Sequence, residues 1–383
     1  MDKKLLHISM GLLLLFSCQK EGGKGVNAIT FAAPSVETKA PLSQVIDGSY
    51  PKAEYFSVIA ATSSTTWNNG SDPPDLSAFI GSSGLGVYGV SCGYNPGVGV
   101  IGAWDPQAGL SAYGGGTAYY WENAGENNYL QAQAYSPTGA HLDMNSGTGL
   151  AHSWDDGFTF TNFTTPVVGC QYDLMYSDRV YNQVKGSTNA PITIHFFHAL
   201  ASLVFKVSLM ADYNVAEGSV KLKSLTLKNV YRTGTFQQGL KTQRNDSSRY
   251  QDTFPKWTVS TPAEWWNLTV FNFANPVTLT FPAMGDFDDA GQVVSHDALL
   301  LIPQKLNGRS GSDPDMMVEI VFTLTDPNGS AVTYTYEAPL ADFGPVEWEA
   351  GKEYVYLVRI SPTQIMLAVN VIDWNNPTNV DLT

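Results

Sequence analysis

Apolar and polar residues alternate with a period of two along most of this chain, and clusters of Gly, Pro, Asn and Asp interrupt them about every ten residues. Successive side chains of a strand point to opposite faces, so this period specifies sheets and excludes a helical bundle. It is clearest over residues 55–61, 129–135, 192–207, 220–231, 317–325, 332–337, 354–360 and 364–374. In Val220-Lys221-Leu222-Lys223-Ser224-Leu225-Thr226-Leu227-Lys228 the phase changes at Ser224, which predicts a β-bulge there. Short helical turns are expected only around 262–266 and 198–202. The fold class is all-β, with strands and turns spaced as in a β-sandwich.

The first residues obey another rule. Lys3 and Lys4 precede an apolar run over residues 8–16 that closes in Leu15-Phe16-Ser17-Cys18. The run is far shorter than the ~20 residues a spanning helix needs, so residues 1–17 read as a lipoprotein signal peptide. Cleavage before Cys18 frees a thiol and an amine for acylation. Because each buried methylene contributes about 0.8 kcal/mol and one chain alone holds weakly, several acyl chains make a stable anchor. The expected location is the outer membrane, facing the cell exterior. The chain has 35 acidic against 21 basic residues, a formal charge of −14. That sign repels phosphates, so nucleic acid is excluded as a partner.

Beyond the signal peptide the chain exceeds the ~250–300 residues at which a single core stops growing, so two domains are expected. Lys185-Gly186-Ser187-Thr188-Asn189-Ala190-Pro191 has linker composition. The expected units are an N-terminal anchor segment at 18–48, an N-terminal domain at 49–187 and a C-terminal domain at 188–383. Cys92 and Cys170 are the cysteines left besides Cys18. They form either one disulfide or two separate buried thiols, and spacing does not decide between these.

No motif in the chain carries catalytic chemistry. Gly84-Leu85-Gly86-Val87-Tyr88-Gly89 and Gly97-Val98-Gly99-Val100-Ile101-Gly102 match a dinucleotide fingerprint, but that fingerprint needs a strand turning into a helix, and glycine-rich sequence surrounds both. His195 and His198 are three apart, which on a strand sends them to opposite faces and forbids a shared metal. Asp286-Phe287-Asp288-Asp289-Ala290-Gly291 begins like a calcium loop but lacks its third and closing ligands. The expectation is a protein without enzyme activity, cofactor or metal. Most tryptophans are expected in cores. Trp265 and Trp266 are the exception, because neighbours on a strand cannot both face inward, and they are candidate glycan contacts. Tyr119 to Trp121 is a second candidate platform.

Gln171-Tyr172-Asp173-Leu174-Met175-Tyr176 followed by Ile194-His195-Phe196-Phe197-His198-Ala199-Leu200-Ala201 resembles the fimbrillin family of Bacteroidales. Matching pieces follow in the family's order: Leu130 to Pro137, Leu225 to Tyr231, Leu301 to Gln304, Trp348 to Tyr356, and Val369 to Trp374. The resemblance implies two tandem transthyretin-like β-sandwich domains with Greek-key-type sheets. The twelve glycines within residues 81–116 depart from the family pattern. It further implies a cell-surface pilus subunit or adhesin assembled with other fimbrial subunits by strand exchange, in which a protease removes an N-terminal strand and a partner's strand replaces it. Here Ile29, Phe31 and Ala33 alternate as such a strand requires, and Lys39-Ala40 stands where the family is cut. Ile365, Leu367, Val369 and Val371 alternate as donor residues. The alternatives are that both end segments are permanent strands of their own domains, that the chain is a pilus anchor, or that it is a monomeric surface lipoprotein binding host or bacterial glycans or proteins.

Overall fold

The structure is a computed structural model that describes residues 28–32, 35–36, 48–51, 54–68, 73–81, 89–95, 103–111, 115–124, 128–138, 149–167, 171–185, 190–210, 219–239, 255–259, 265–280, 298–309, 313–326, 328–362 and 364–373 of the 383. Cys18, Ala33, Lys39, Ala40, Cys170, the acidic 286–291 segment and Trp374 lie outside these residues.

The described chain is built from sheets. The largest has ten strands: Gly48–Ser49, Ser35–Val36, His195–His198, Met175–Ser177, Tyr129–Ser136, Phe56–Ser63, Val90–Asn95 and Ala103–Asp105 in that order, with Val180–Gln183 also on Tyr129–Ser136 and Ser77–Ile80 also on Phe56–Ser63. A four-stranded sheet runs Lys256–Val259, Thr233–Gln237, Gly157–Thr164, Gly149–Ser153. Two further four-stranded sheets face each other as a sandwich. One runs Leu299–Leu301, Ala201–Leu209, Lys352–Ile360, Ile365–Asp373, and the other Trp265–Thr278, Val220–Tyr231, Met317–Thr325, Ala331–Pro339.

Alternation accounts for the sandwich. Leu203, Phe205, Val207 and Leu209 from one sheet meet Val318, Ile320 and Phe322 from the other in a shared core, while Lys221, Lys223 and Glu319 stay on the wetter face. The expected bulge is present, since the register of Val220–Tyr231 shifts between Leu222 and Ser224 against both neighbours. Phe56–Ser63 is instead buried on both faces. Phe56, Val58 and Ala60 enter one core and Ile59 another, the second of which also holds Phe158, Phe160 and Phe236 of the smaller sheet.

Two expectations need correction. No helical turn forms at 198–202, because His198 ends one strand and Ala201 begins the next, and Trp265 opens a strand of fourteen residues. The Ala199 amide donates instead to the Leu174 carbonyl at 2.8 Å, and the Leu200 carbonyl accepts from the Gly351 amide at 2.9 Å, so this backbone is satisfied by distant chain and not by a helical turn. Strands from both sides of residue 187 share sheets. His195–His198 belongs to the ten-stranded sheet, and Thr233–Gln237 pairs antiparallel with Gly157–Thr164.

Candidate functional site

The N-terminal segment occupies a place that only an extended chain can fill. The Ile29 amide donates to the Tyr119 carbonyl at 2.8 Å, and Phe31 and Trp104 exchange both backbone bonds at 2.8 and 2.9 Å. On the opposite edge the Ile192 amide donates to Thr30 O at 2.8 Å and the Ala32 amide to Ile192 O at 2.9 Å. Alternate backbone groups therefore serve alternate edges, as in an interior strand. A few residues on, Ser35–Val36 lies parallel to His195–His198 and antiparallel to Gly48–Ser49.

The side chains complete the fit. Ile29 and Phe31 are 0% exposed and sit in a core with Tyr50, Phe56, Trp104, Ile192 and Phe196. Phe31 meets Phe56 edge to face at 6.2 Å, and Tyr50 meets Phe56 and Trp104 likewise at 5.4 and 6.1 Å. Burial pushes the Tyr50 phenol well above its ordinary pKa, and its hydroxyl donates to Tyr55 O and bonds Ser136 Oγ. Without residues 28–32 the molecule would carry an apolar groove with unpaired backbone on both walls.

The other end of the chain is held differently. Ile365–Asp373 pairs along its whole length with Lys352–Ile360 and stands at the edge of its sheet. Ile365, Leu367 and Val369 pack partly buried against the sandwich core, whereas Val371 is 37% and Met366 50% exposed. Gly344 approaches so closely that a Cβ there would lie 2.4 Å from Val369 Cγ1.

Other candidates separate from this site. His195 is exposed and His198 buried, on opposite faces, and His198 Nδ1 lies 2.7 Å from Asp173 Oδ2. Among the described residues each glycine motif is followed by a strand, Val90–Asn95 and Ala103–Asp105, and the second strand runs on into a three-residue 3-10 turn, Pro106–Ala108. Trp265 and Trp266 are 45% and 48% exposed, and the Arg232 guanidinium, itself donating to Thr165 O, lies 5.0 Å above the Trp266 ring. The expected Tyr119 to Trp121 platform is not formed: Trp121 is buried, and Tyr119 packs on the core and against Phe79. Cys92 is buried.

The motif residues behind the sequence resemblance turn out to be fasteners. Gln171 exchanges two side-chain bonds with the Leu300 backbone, at 2.8 and 2.9 Å. Gln304 does the same with Tyr231, at 2.9 and 3.0 Å. Asp173 holds His198, and Trp348 Nε1 donates to the Tyr356 hydroxyl at 2.9 Å. A primary amide offers the donor and acceptor of a peptide group, so a buried glutamine can close a sheet edge where no strand is available.

The chain belongs to the fimbrillin-like family, which it matches over residues 94–374. This is a class of fimbrial subunits and adhesins, proteins of the cell surface. A fimbrial protein from Bacteroides vulgatus is similar in structure, with a TM-score of 0.52, 14% identity, and 90% of this chain and 99% of that one covered. The tip fimbrial protein Mfa3 from Porphyromonas gingivalis, truncated at its C-terminus, aligns over 91% of this chain and 99% of its own with 9% identity and a TM-score of 0.33. Among curated proteins none matches.

Proposed function

We propose that this fimbrillin-like chain is exported as an outer-membrane lipoprotein acylated at Cys18, cut between Lys39 and Ala40, and assembled with other fimbrial subunits by strand exchange. It acts by assembly and attachment, without catalysis. The carrying observation is that residues 28–32 are bonded along both edges and seat Ile29 and Phe31 at 0% exposure. In sequence they join the rest of the chain only through the stretch that contains Lys39. A cut there leaves residues 28–36 held by non-covalent contacts alone. An incoming strand then satisfies the same amides and carbonyls while its alternate side chains enter the same pockets, which is β-augmentation.

The test is a limited trypsin digest of protein begun at Gln19, read by N-terminal sequencing and size-exclusion chromatography. The expected result is a new N-terminus at Ala40 and a folded product that forms higher oligomers. A cut product that stays monomeric, or pili containing only chains that begin at Cys18, overturns the cleavage step and leaves an anchor.

The exposure of Trp265 and Trp266 supports a second reading, a glycan-contacting face. Its test is a glycan array with the wild type and with Trp266→Ala. Binding lost in the variant supports it, and silence across the array removes it.

A further inference from the structure

The strand Ala331–Pro339 stands at the edge of its sheet. It pairs with Met317–Thr325 over all nine residues without a register shift, and among the described residues no strand pairs with its other side. The opposite edge of the same sheet, Trp265–Thr278, is interrupted by three register shifts and by Pro276, devices that keep an edge from accepting another chain. Ala331–Pro339 has neither before its last residue.

Bonds just beyond its two ends fix the phase of this ladder. The Asp326 amide donates to Ser330 O and the Leu340 amide to Met316 O, both at 2.9 Å, so the even-numbered residues turn their amides and carbonyls towards Met317–Thr325. Ala331, Thr333, Thr335 and Glu337 turn theirs outward. The side chains divide at the same positions. Val332, Tyr334, Tyr336 and Ala338 lie opposite Leu324, Phe322, Ile320 and Val318, on the core face of the sheet. Ala338 is buried and Tyr336 half-buried, but Tyr334, stacked on Phe322 at 5.7 Å, is 46% exposed and Val332 is 51% exposed. The apolar face thus runs on to an edge that the described residues leave open.

We infer that this edge pairs with the same edge of a second copy of the chain, antiparallel and about a two-fold axis through Tyr334. In that register Thr333 of one copy lies opposite Thr335 of the other, Val332 opposite Tyr336, and Ala331 opposite Glu337. Every outward amide and carbonyl from 331 to 337 then has a partner. An axis through Thr335 would set Ala331 against Pro339, which has no amide, and an axis through Thr333 would set Glu337 against Gly329, beyond the strand. Threonine on threonine and a β-branched residue on an aromatic are favourable cross-strand pairs.

Charge and area say which occupant suits this edge. A chain of formal charge −14 repels its own copies, yet residues 328–336 carry no charge, and the Glu337 carboxylate is held by Lys228 Nζ at 2.8 Å. Two copies can therefore meet along this strip without opposing charges at the seam. A strand edge of seven residues is about 24 Å long and covers roughly 300–400 Å² per copy, about half of what a stable dimer needs. One pair of copies holds weakly, whereas rows of copies sum their contacts. On the assembly reading proposed above, the consequence is lateral association of fimbriae.

Cysteine cross-linking tests the pairing and its register. Residue 334 lies on the axis as a non-hydrogen-bonded pair, which sets the two α-carbons about 4.5 Å apart, within disulfide range. Two copies of residue 332 are offset by four residues, about 13 Å. Uncut protein begun at Gln19 and carrying Tyr334→Cys or Val332→Cys is oxidised with glutathione disulfide beside the wild type, and disulfide-linked dimer is followed on non-reducing gels. The expected result is that Tyr334→Cys dimerises about tenfold faster or more than Val332→Cys, although Val332 is the more exposed of the two. Adding Thr333→Pro, which removes an outward amide and leaves the ladder to Met317–Thr325 intact, should abolish the excess. Equal rates at 334 and 332, or an excess that survives Thr333→Pro, overturn the inference. The protein is not cut at Lys39, so either outcome leaves the strand-exchange reading to its own test.

Discussion

The two end strands are made of similar residues and are held in opposite ways. Residues 28–32 bond along both edges, and Ile29 and Phe31 lie in the centre of a core. Ile365–Asp373 bonds along one edge, and its inward face is only partly covered. An interior strand contributes more than its own hydrogen bonds, because removing it also strips the partners on both sides. An edge strand can leave with its sheet otherwise intact. The N-terminal strand is thus fastened by tertiary contacts along both edges, and the C-terminal strand is loosely packed by comparison.

The largest expected effect that tests this contrast is Phe31→Ala, which should destabilise the uncut protein by about 3–5 kcal/mol in urea denaturation. A loss under about 1 kcal/mol would show that the groove does not depend on its filling strand. Acid should act on the N-terminal side next. His152 Nε2 bonds Gln133 Oε1 at 2.9 Å where the small sheet meets the ten-stranded one. Burial, with Arg179 adding to it, lowers its pKa from 6.5 to about 3. Between those values the unfolded chain takes up a proton that the native histidine refuses, so stability is full above 6.5 and falls as pH drops towards 3. The slope is about 1.4 kcal/mol per pH unit at most. Burial raises the Asp178 pKa and so works in the opposite sense, which makes the difference between wild type and His152→Gln the useful measurement.

Leu367→Ala should cost less, about 1 kcal/mol, because that side chain is only partly covered. Equal losses for Leu367→Ala and Phe31→Ala would remove the contrast between the two ends. The smallest effect is expected from Gly344→Ala, whose Cβ would crowd Val369. Hydrogen exchange should quicken across 365–371 and stay unchanged at 29–32. Quickening at both would mean that the two strands loosen together.

Much of the fold was legible from residue order. The period of two identifies the sheets, the phase change locates the bulge next to Ser224, and odd spacing puts His195 and His198 on opposite faces. Gln171 and Gln304 were visible in the motifs, but their role as clamps on Leu300 and Tyr231 was not, since each partner lies 73 or more residues away in the chain. The same limit hid the pairing of Thr233–Gln237 with Gly157–Thr164, and left Tyr119 to Trp121 looking like an exposed platform when Trp121 is buried.

By itself, then, the sequence determined the element type, the wet and dry faces and the alternating character of both ends. These are local properties, set by steric preference and side-chain periodicity. Only the tertiary structure decided which end is enclosed and which stands at an edge. That depends on which strands lie alongside, and backbone amides and carbonyls pair with whatever strand folding brings next to them, however distant in the chain.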